Sequence, residues 1–290
     1  MPLSVSILVQ SEGKSFCMNT SGNLDRHFIV YKPDGTSDRP LPVVFMFHGA
    51  SGSGERVYNI SGGKEKAERE GVIAVFLTTK RYCLRGEERN RYIIRWNAGA
   101  LQKEVCESET LADDVQFLRD MAGYLKESCP GDNKRIYASG FSDNYVSRLT
   151  VEASDILAAT AVVAGMLQDT TWHTRALIPS FLAVGQNEKL LSRADGSPLP
   201  ITPNTLEEHE FLRNVLFRMV DKLGLERKYT CQEEKYYTLY PEQIGDRQPV
   251  QAGTGQGRGT QLSERQQLSV GDRGCFLEIF TGSMKQTKGS

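Results

Sequence analysis

Apolar residues along the chain form short continuous runs that are separated by stretches with helical spacing. The continuous runs predict strands, and several resemble central strands that are covered on both faces. They span residues 27–33, 42–47, 72–77, 134–140, 158–165, 179–185 and 274–280. The alternation of such strands with helices predicts an α/β fold with a mostly parallel sheet.

Two stretches have the spacing of amphipathic helices. Residues 109–127 place Leu111, Leu118 and Leu125 on one stripe, and residues 205–223 do the same with Leu212 and Leu216. Asn204 or Thr205 is the predicted N-cap of the second helix, and Gly224 follows its last apolar position.

Residues 245–274 are rich in Gly, Gln and Arg and nearly lack large apolar side chains, which predicts a mobile loop. No linker divides the chain, so residues 1–290 are interpreted as one domain with a packed core.

The net charge of −1 gives no reason to expect nucleic acid as a partner. No apolar run approaches the ~20 residues that span a bilayer. The first residues lack the basic and apolar regions of a signal peptide.

The segment Gly140-Phe141-Ser142-Asp143-Asn144 follows a predicted strand and is close to the pattern G-x-S-x-G. Such a turn strains the serine and exposes its hydroxyl at the carboxyl edge of the sheet, where a helix N-terminus and the Asp143 N–H stabilise negative charge. Asn144 stands in place of the second glycine, and asparagine tolerates left-handed backbone. The alternative is that Ser142 is an ordinary helix N-cap.

A second segment of small residues, 48–54, follows the strand at 42–47 and begins with His48 and Gly49. A loop of this kind supplies the second oxyanion donor in enzymes with a nucleophile elbow, and the backbone N–H of Ala50 is the candidate. His48 is expected to orient this loop rather than act as a base. The alternative is an ordinary glycine-rich turn.

These segments together resemble one family. The runs PLPVVFMFHGASGSG, RWNAG, LADDVQFLRDM and DNKRIYASGFSDN are similar to α/β-hydrolases of the polyhydroxybutyrate depolymerase and feruloyl esterase group, over about residues 26–185. The resemblance implies an α/β-hydrolase fold and a serine esterase that acts on polyester, acetylated or feruloylated substrates, without a cofactor. It also places Trp96 near the substrate cleft, although the residue is equally interpreted as a core plug. Asp113 and Asp114 would support the fold.

The resemblance also indicates where the other catalytic residues should lie. Glu188 occupies the position at which the family has its acid, with Asp195 as a fallback and a solvated loop residue as the alternative. The family histidine should follow the last strand, but the chain has Met284 there and no histidine after His209. His209 falls on the apolar stripe of its helix and His27 on a strand, so both are interpreted as structural. His173 is the candidate for a displaced base.

Six cysteines, without a CxxC pair or zinc spacing, indicate disulfides or reduced buried thiols rather than a metal site. Cys231 and Cys275 resemble a pair of the same family that would close the loop between them. A bridge between Cys83 and Cys106 would staple the segment that carries Trp96. Paired cysteines would indicate a secreted protein. The sequence does not define the oligomeric state.

Two functional hypotheses follow from these residues. The first is a carboxylic-ester hydrolase that forms an acyl-enzyme on Ser142 and takes a small-molecule or polymeric ester. The second is a catalytically degenerate homologue that serves as a binding module or has a repurposed pocket, because no histidine occupies the triad position.

Overall fold

The computed structural model describes residues 5–10, 13–20, 24–34, 40–142, 144–168, 171–185, 210–233, 237–243 and 275–280. Side chains are described mainly between residues 26 and 183 and from 213 to 227. The predicted mobile loop at 245–274 lies outside these ranges, and the interpretation of residues 1–290 as one domain stays a prediction. No helix in the described part is long and apolar enough to cross a membrane.

Thirteen strands occur in the described ranges. In chain order they are β1 (Val5–Gln10), β2 (Gly13–Thr20), β3 (Leu24–Tyr31), β4 (Leu41–Phe47), β5 (Ile73–Leu77), β6 (Arg81–Leu84), β7 (Arg91–Ile94), β8 (Gly131–Phe141), β9 (Ala159–Val163), β10 (Ser180–Gly185), β11 (Leu225–Glu233), β12 (Tyr237–Gln243) and β13 (Cys275–Phe280). All seven strands predicted from the apolar runs are present, with ends that differ from the predicted ones by at most three residues.

Eleven of these strands form one sheet in the order β1-β2-β3-β5-β4-β8-β9-β10-β13-β12-β11. Along this order, the pairings between β5 and β13 are all parallel. The pairings on both flanks of this central part are antiparallel. The central strands are buried along nearly their whole length, as β5 and β9 show. The predicted α/β fold with a mostly parallel central sheet is therefore confirmed.

The described helices are α1 (Gly54–Ile60), α2 (Gly63–Glu70), α3 (Asp114–Ser128), α4 (Tyr145–Glu152) and α5 (Glu210–Lys222). Helix α3 begins five residues later than its apolar spacing predicts, because Asp113 is its N-cap and accepts the Gln116 N–H over 2.9 Å. Helix α5 ends as predicted before Gly224, whereas its predicted start and cap lie outside the described residues.

The register of the central strands brings their carboxyl ends to one edge of the sheet. Phe47 at the end of β4 pairs with Leu77 of β5 and Gly140 of β8, and Phe141 pairs with Val163 of β9. In open parallel sheets ligands bind outside this carboxyl edge. The two segments that the sequence singled out therefore emerge side by side where a site is expected.

Between β5 and α3 the chain leaves the main sheet and forms the hairpin β6–β7. The predicted disulfide between Cys83 and Cys106 is present and closes this excursion, so the alternative of a reduced pair is wrong for these two cysteines. The side chains of Cys231 and Cys275, the other predicted pair, lie outside the described residues.

Candidate active site

Ser142 lies in a strained turn between β8 and α4. Its φ of 57° is in the left-handed region, which is uncommon for a residue with a side chain and marks functional sites when the surrounding structure enforces it. The Ser142 N–H donates to the carbonyl oxygen of Val163 over 2.9 Å, and its side chain is exposed. The N-cap of α4 is Asn144, so the alternative of Ser142 as a helix N-cap is wrong.

Gly140 allows the strand to turn this sharply into the helix. A Cβ at this position would lie 2.6 Å from Cγ2 of Val146, which is on the second residue of α4. Any other residue at position 140 would push helix α4 away from strand β8. The first glycine of the motif is therefore required by packing rather than by its backbone angles.

Asn144 occupies the place of the second glycine for a different reason from the one predicted. Its φ of −71° is ordinary, so a tolerance for left-handed backbone is not needed. Its side-chain carbonyl instead accepts the backbone N–H of Met166 over 2.8 Å. Asn144 thereby ties the turn that carries Ser142 to the segment that follows β9.

The second predicted segment, residues 48–54, is called the oxyanion loop below. A Cβ on Gly49 would lie 2.8 Å from the carbonyl oxygen of Phe141 and 3.3 Å from Cβ of Ser142. Only a glycine lets the loop approach the serine this closely. Ala50, the candidate donor, comes next and is exposed. The second candidate donor, Asp143, lies outside the described residues.

His48 is buried at the base of the oxyanion loop, with 2% of its surface exposed. Its Nε2 accepts the Thr79 N–H over 3.3 Å, so Nδ1 carries the hydrogen and donates to the Gly49 carbonyl oxygen over 2.7 Å. Burial, together with the charge of Arg26, lowers the pKa of His48 to about 4. His48 is thus a neutral residue that orients the loop, and both of its nitrogens are already engaged.

Trp96 holds the same loop from below. Its indole N–H donates to the carbonyl oxygen of His48 over 3.1 Å, and its ring stacks on Tyr145 with centroids 4.8 Å apart. None of its surface is exposed. Of its two interpretations the core plug is therefore right, and the assignment of Trp96 to the wall of the substrate pocket is wrong.

Beneath Trp96, a buried ion pair joins Arg26 of β3 to Asp114 at the start of α3. The guanidinium of Arg26 also lies over the ring of Phe117, 4.3 Å from its centroid. The expectation that Asp114 supports the fold agrees with these contacts. Sequence reasoning missed Arg26, since no local pattern links residues 88 positions apart.

Asp114 also reaches both halves of the site. Its carboxylate accepts the Asn97 N–H over 2.7 Å and the Thr79 hydroxyl over 3.3 Å, and Thr79 in turn holds His48. Its backbone carbonyl accepts the hydroxyl of Tyr145, the first residue of α4, over 2.5 Å. Asp114 therefore contacts the helix that follows Ser142 directly and reaches the oxyanion loop through Thr79.

The contacts around His173 do not place it beside Ser142. His173 is exposed, and its neighbour Thr174 donates to the Lys222 carbonyl oxygen over 2.7 Å. The N–H of Arg175 donates over 3.0 Å to the hydroxyl of Ser154, which follows the far end of α4. An eight-residue helix is about 12 Å long, so this segment is anchored well away from the nucleophile.

The other predicted catalytic residues, Glu188 and its fallback Asp195, lie outside the described residues, as does His209. Within the described residues, no hydrogen bond joins the Ser142 hydroxyl to an imidazole or a carboxylate. Among the same residues, no cluster of His, Cys, Asp and Glu side chains could hold a metal ion.

The fold and the site together define the class of protein. The chain has the α/β-hydrolase fold, and the acetyl xylan esterase from Aspergillus awamori shares it with a TM-score of 0.51. The alignment covers 97% of this chain and 93% of that structure at 10% sequence identity. No family model matches the chain.

A sequence relative narrows this resemblance. The chain is 31% identical over 142 residues to feruloyl esterase B of Piromyces equi. The aligned region covers 47% of this chain and 23% of that protein. The chain therefore spans about a quarter of the length of this relative. The similarity to the feruloyl esterase group that the motifs indicated is confirmed.

Proposed function

We propose that this protein is a carboxylic-ester hydrolase that forms an acyl-enzyme on Ser142. The observation that carries the proposal is the strained, exposed Ser142 at the carboxyl edge of the sheet, with the oxyanion loop packed against it at Gly49. The similarity to a feruloyl esterase supports the same class of reaction.

The reaction would proceed in two steps. The Ser142 oxygen attacks the ester carbonyl, and the oxyanion that forms accepts hydrogen bonds from the N–H groups of Ala50 and Asp143. The carbonyl re-forms as the alcohol leaves with a proton, and Ser142 keeps the acyl group. Water then attacks the acyl-enzyme and releases the acid, which restores the Ser142 hydroxyl.

Ser142 needs a base to accept its proton. His48 does not fit that task, because burial lowers its pKa to about 4 and both of its ring nitrogens are already engaged in hydrogen bonds. We propose Glu188 as the orienting acid. The contacts of the residues that follow His173 argue against that histidine as the base, and His209 lies outside the described residues, so both imidazoles are tested directly. Loss of the base in such a triad leaves a residual acceleration of about 10³–10⁴ over water. Replacing each histidine singly with alanine distinguishes them, because loss of the histidine that acts as the base should lower the activity far more than loss of the other.

The serine is tested with a fluorophosphonate probe and p-nitrophenyl acetate on the parent chain and on Ser142→Ala. The matched control is Ser108→Ala, which removes another exposed serine hydroxyl. Labelling and turnover should vanish in Ser142→Ala and persist in Ser108→Ala. Signals that are equal in the parent and in Ser142→Ala would instead identify a catalytically degenerate homologue.

For the substrate, we propose acetyl, feruloyl or polyester groups. Acetylated xylan, methyl ferulate and polyhydroxybutyrate are incubated in parallel, and the released acid is measured by chromatography with Ser142→Ala as the blank. Release from one of the three above this blank assigns the acyl group. No release from any of them, alongside turnover of p-nitrophenyl acetate, would exclude this substrate range and keep the esterase.

A further inference from the structure

The hairpin β6–β7 borders the oxyanion loop. The N–H of Ser51 in that loop donates to the carbonyl oxygen of Ile94, the last residue of β7, over 2.8 Å. Tyr92 lies two residues earlier on the same strand, about 7 Å along it. The surface of the hairpin is therefore continuous with the proposed site.

The two faces of this hairpin differ in character. Tyr82 and Leu84 are buried on one face, where they pack with Ile93 against Leu101 and other residues of a small separate core. Cross-strand partners share a face, so Arg81, paired with Ile94, and Tyr92, paired with Cys83, lie on the opposite face. Cys83 lies on this face too, but it is buried in its disulfide with Cys106. The other three residues of the face, Arg81, Tyr92 and Ile94, are called the platform below.

The platform presents an aromatic ring and a cation to solvent. Tyr92 is 63% exposed, and the guanidinium of Arg81 lies over its ring at 5.5 Å from the centroid. Residues 81–95 carry five arginines against two glutamates, in a chain with net charge −1. In the described part of the chain no carboxylate pairs with Arg81 or Arg91, so the guanidinium of Arg81 remains available to an anion.

The platform is also held rigid, which lowers the entropy cost of binding. The disulfide between Cys83 and Cys106 closes its base. Glu109 accepts the Cys83 N–H over 2.9 Å with one carboxylate oxygen and the ammonium of Lys80 over 3.0 Å with the other.

We propose that the platform is an accessory site for sugar-acid units of a polymeric ester substrate. The exposed ring of Tyr92 packs on the apolar face of a sugar, and the free edge of the Arg81 guanidinium donates to its carboxylate. The ester group on the same polymer then reaches Ser142 across the oxyanion loop. The inference rests on the proposed function for its catalytic half, whereas binding to the platform can be measured by itself.

The test measures binding to the Ser142→Ala protein by calorimetry, so that no ligand is turned over. The probes are tetragalacturonic acid and its fully methyl-esterified form, which share their rings and differ in charge. The variants are Arg81→Gln and Tyr92→Ala. The matched control is Arg91→Gln, which removes an equal charge from the opposite face of the same hairpin.

The acid should bind more tightly than its methyl ester, and Arg81→Gln should weaken acid binding about tenfold. Tyr92→Ala should weaken both probes about threefold to fivefold, because it removes the stacking surface. Arg91→Gln should change either affinity less than twofold. Added salt should weaken the acid more than the ester.

Equal affinity for the two probes would overturn the proposal. The proposal would also be overturned if Arg91→Gln weakened acid binding as much as Arg81→Gln does. That result would show that the acid is attracted by the overall positive charge of the hairpin and not by the platform. Turnover of p-nitrophenyl acetate by the Ser142 protein is followed separately. Its absence would refute the esterase while leaving the binding result intact.

Discussion

Trp96 donates its buried indole N–H to the carbonyl oxygen of His48, and this hydrogen bond of 3.1 Å fixes the start of the oxyanion loop from within the core. A residue with no exposed surface thus holds a loop of the proposed active site. Because Tyr145 stacks on the same indole, the core plug contacts both halves of the site.

Trp96→Phe keeps an aromatic ring against Tyr145 and removes the donor to His48. We expect kcat/KM for p-nitrophenyl acetate to fall about tenfold, because the loop loses its anchor. The buried carbonyl left without a donor should lower the free energy of unfolding by about 1–3 kcal/mol. Tyr82→Phe is the control, since it removes a buried hydroxyl that holds the Ala112 N–H. If both variants lost activity equally, general destabilisation would explain the result.

Asp114→Asn leaves the guanidinium of Arg26 buried without its carboxylate. Removal of one partner from a buried ion pair costs about 3–5 kcal/mol, and urea unfolding should show a loss of this size. The neighbouring Asp113→Asn keeps the N-cap of α3 and should change stability by less than about 0.5 kcal/mol. Equal stabilities of the two variants would show that the Arg26 contact contributes little.

Gly49→Ala tests the close approach of the oxyanion loop to Ser142. The added Cβ would lie 2.8 Å from the Phe141 carbonyl oxygen, so the loop must move. We expect kcat/KM to fall about 100-fold, the effect of a displacement on the order of 1 Å. In Gly123→Ala the new Cβ meets nothing within 4 Å on α3, and stability should rise by about 0.5–1 kcal/mol with unchanged kinetics. Full activity of Gly49→Ala would refute the packing argument.

The pH dependence of stability should carry a contribution from His48. The folded protein protonates His48 only near pH 4, whereas the unfolded chain does so near the ordinary pKa of 6.5. The unfolded state therefore binds more protons between these values, and stability falls as the pH drops from about 6.5 to about 4, by roughly 3 kcal/mol in total. Urea titrations of the parent and His48→Gln at a series of pH values isolate this term. Parallel curves for the two proteins would contradict it.

The local features of the site could be predicted from sequence because each is encoded by neighbouring residues. The turn at Ser142 and the glycine-rich oxyanion loop follow continuous apolar strands, and both are present at the predicted edge of the sheet. Whether Trp96 lies in the core or in the wall of the pocket could not be predicted, because an aromatic residue in an irregular segment packs equally well in either place.

Features that join distant segments could not be predicted. Arg26 and Asp114 meet only because the fold brings the start of α3 against strand β3, and no spacing in the sequence records that. Asn144 shows the same limit at shorter range. The asparagine residue type suggested a tolerance for left-handed backbone. Its actual role is a hydrogen bond with the Met166 N–H, and the course of the chain after β9 determines where that N–H lies.

The pairing of Phe47 with Gly140 aligns β4 and β8 so that the two halves of the site emerge level with each other. The halves are distant in the chain, so they meet only after a long loop has closed, which is a slow event in folding. A shift of this register by a single residue would move Gly49 past Ser142 by about 3.3 Å. Under the proposed function, fluorophosphonate labelling should therefore return during refolding only once the centre of the sheet has reached its native alignment.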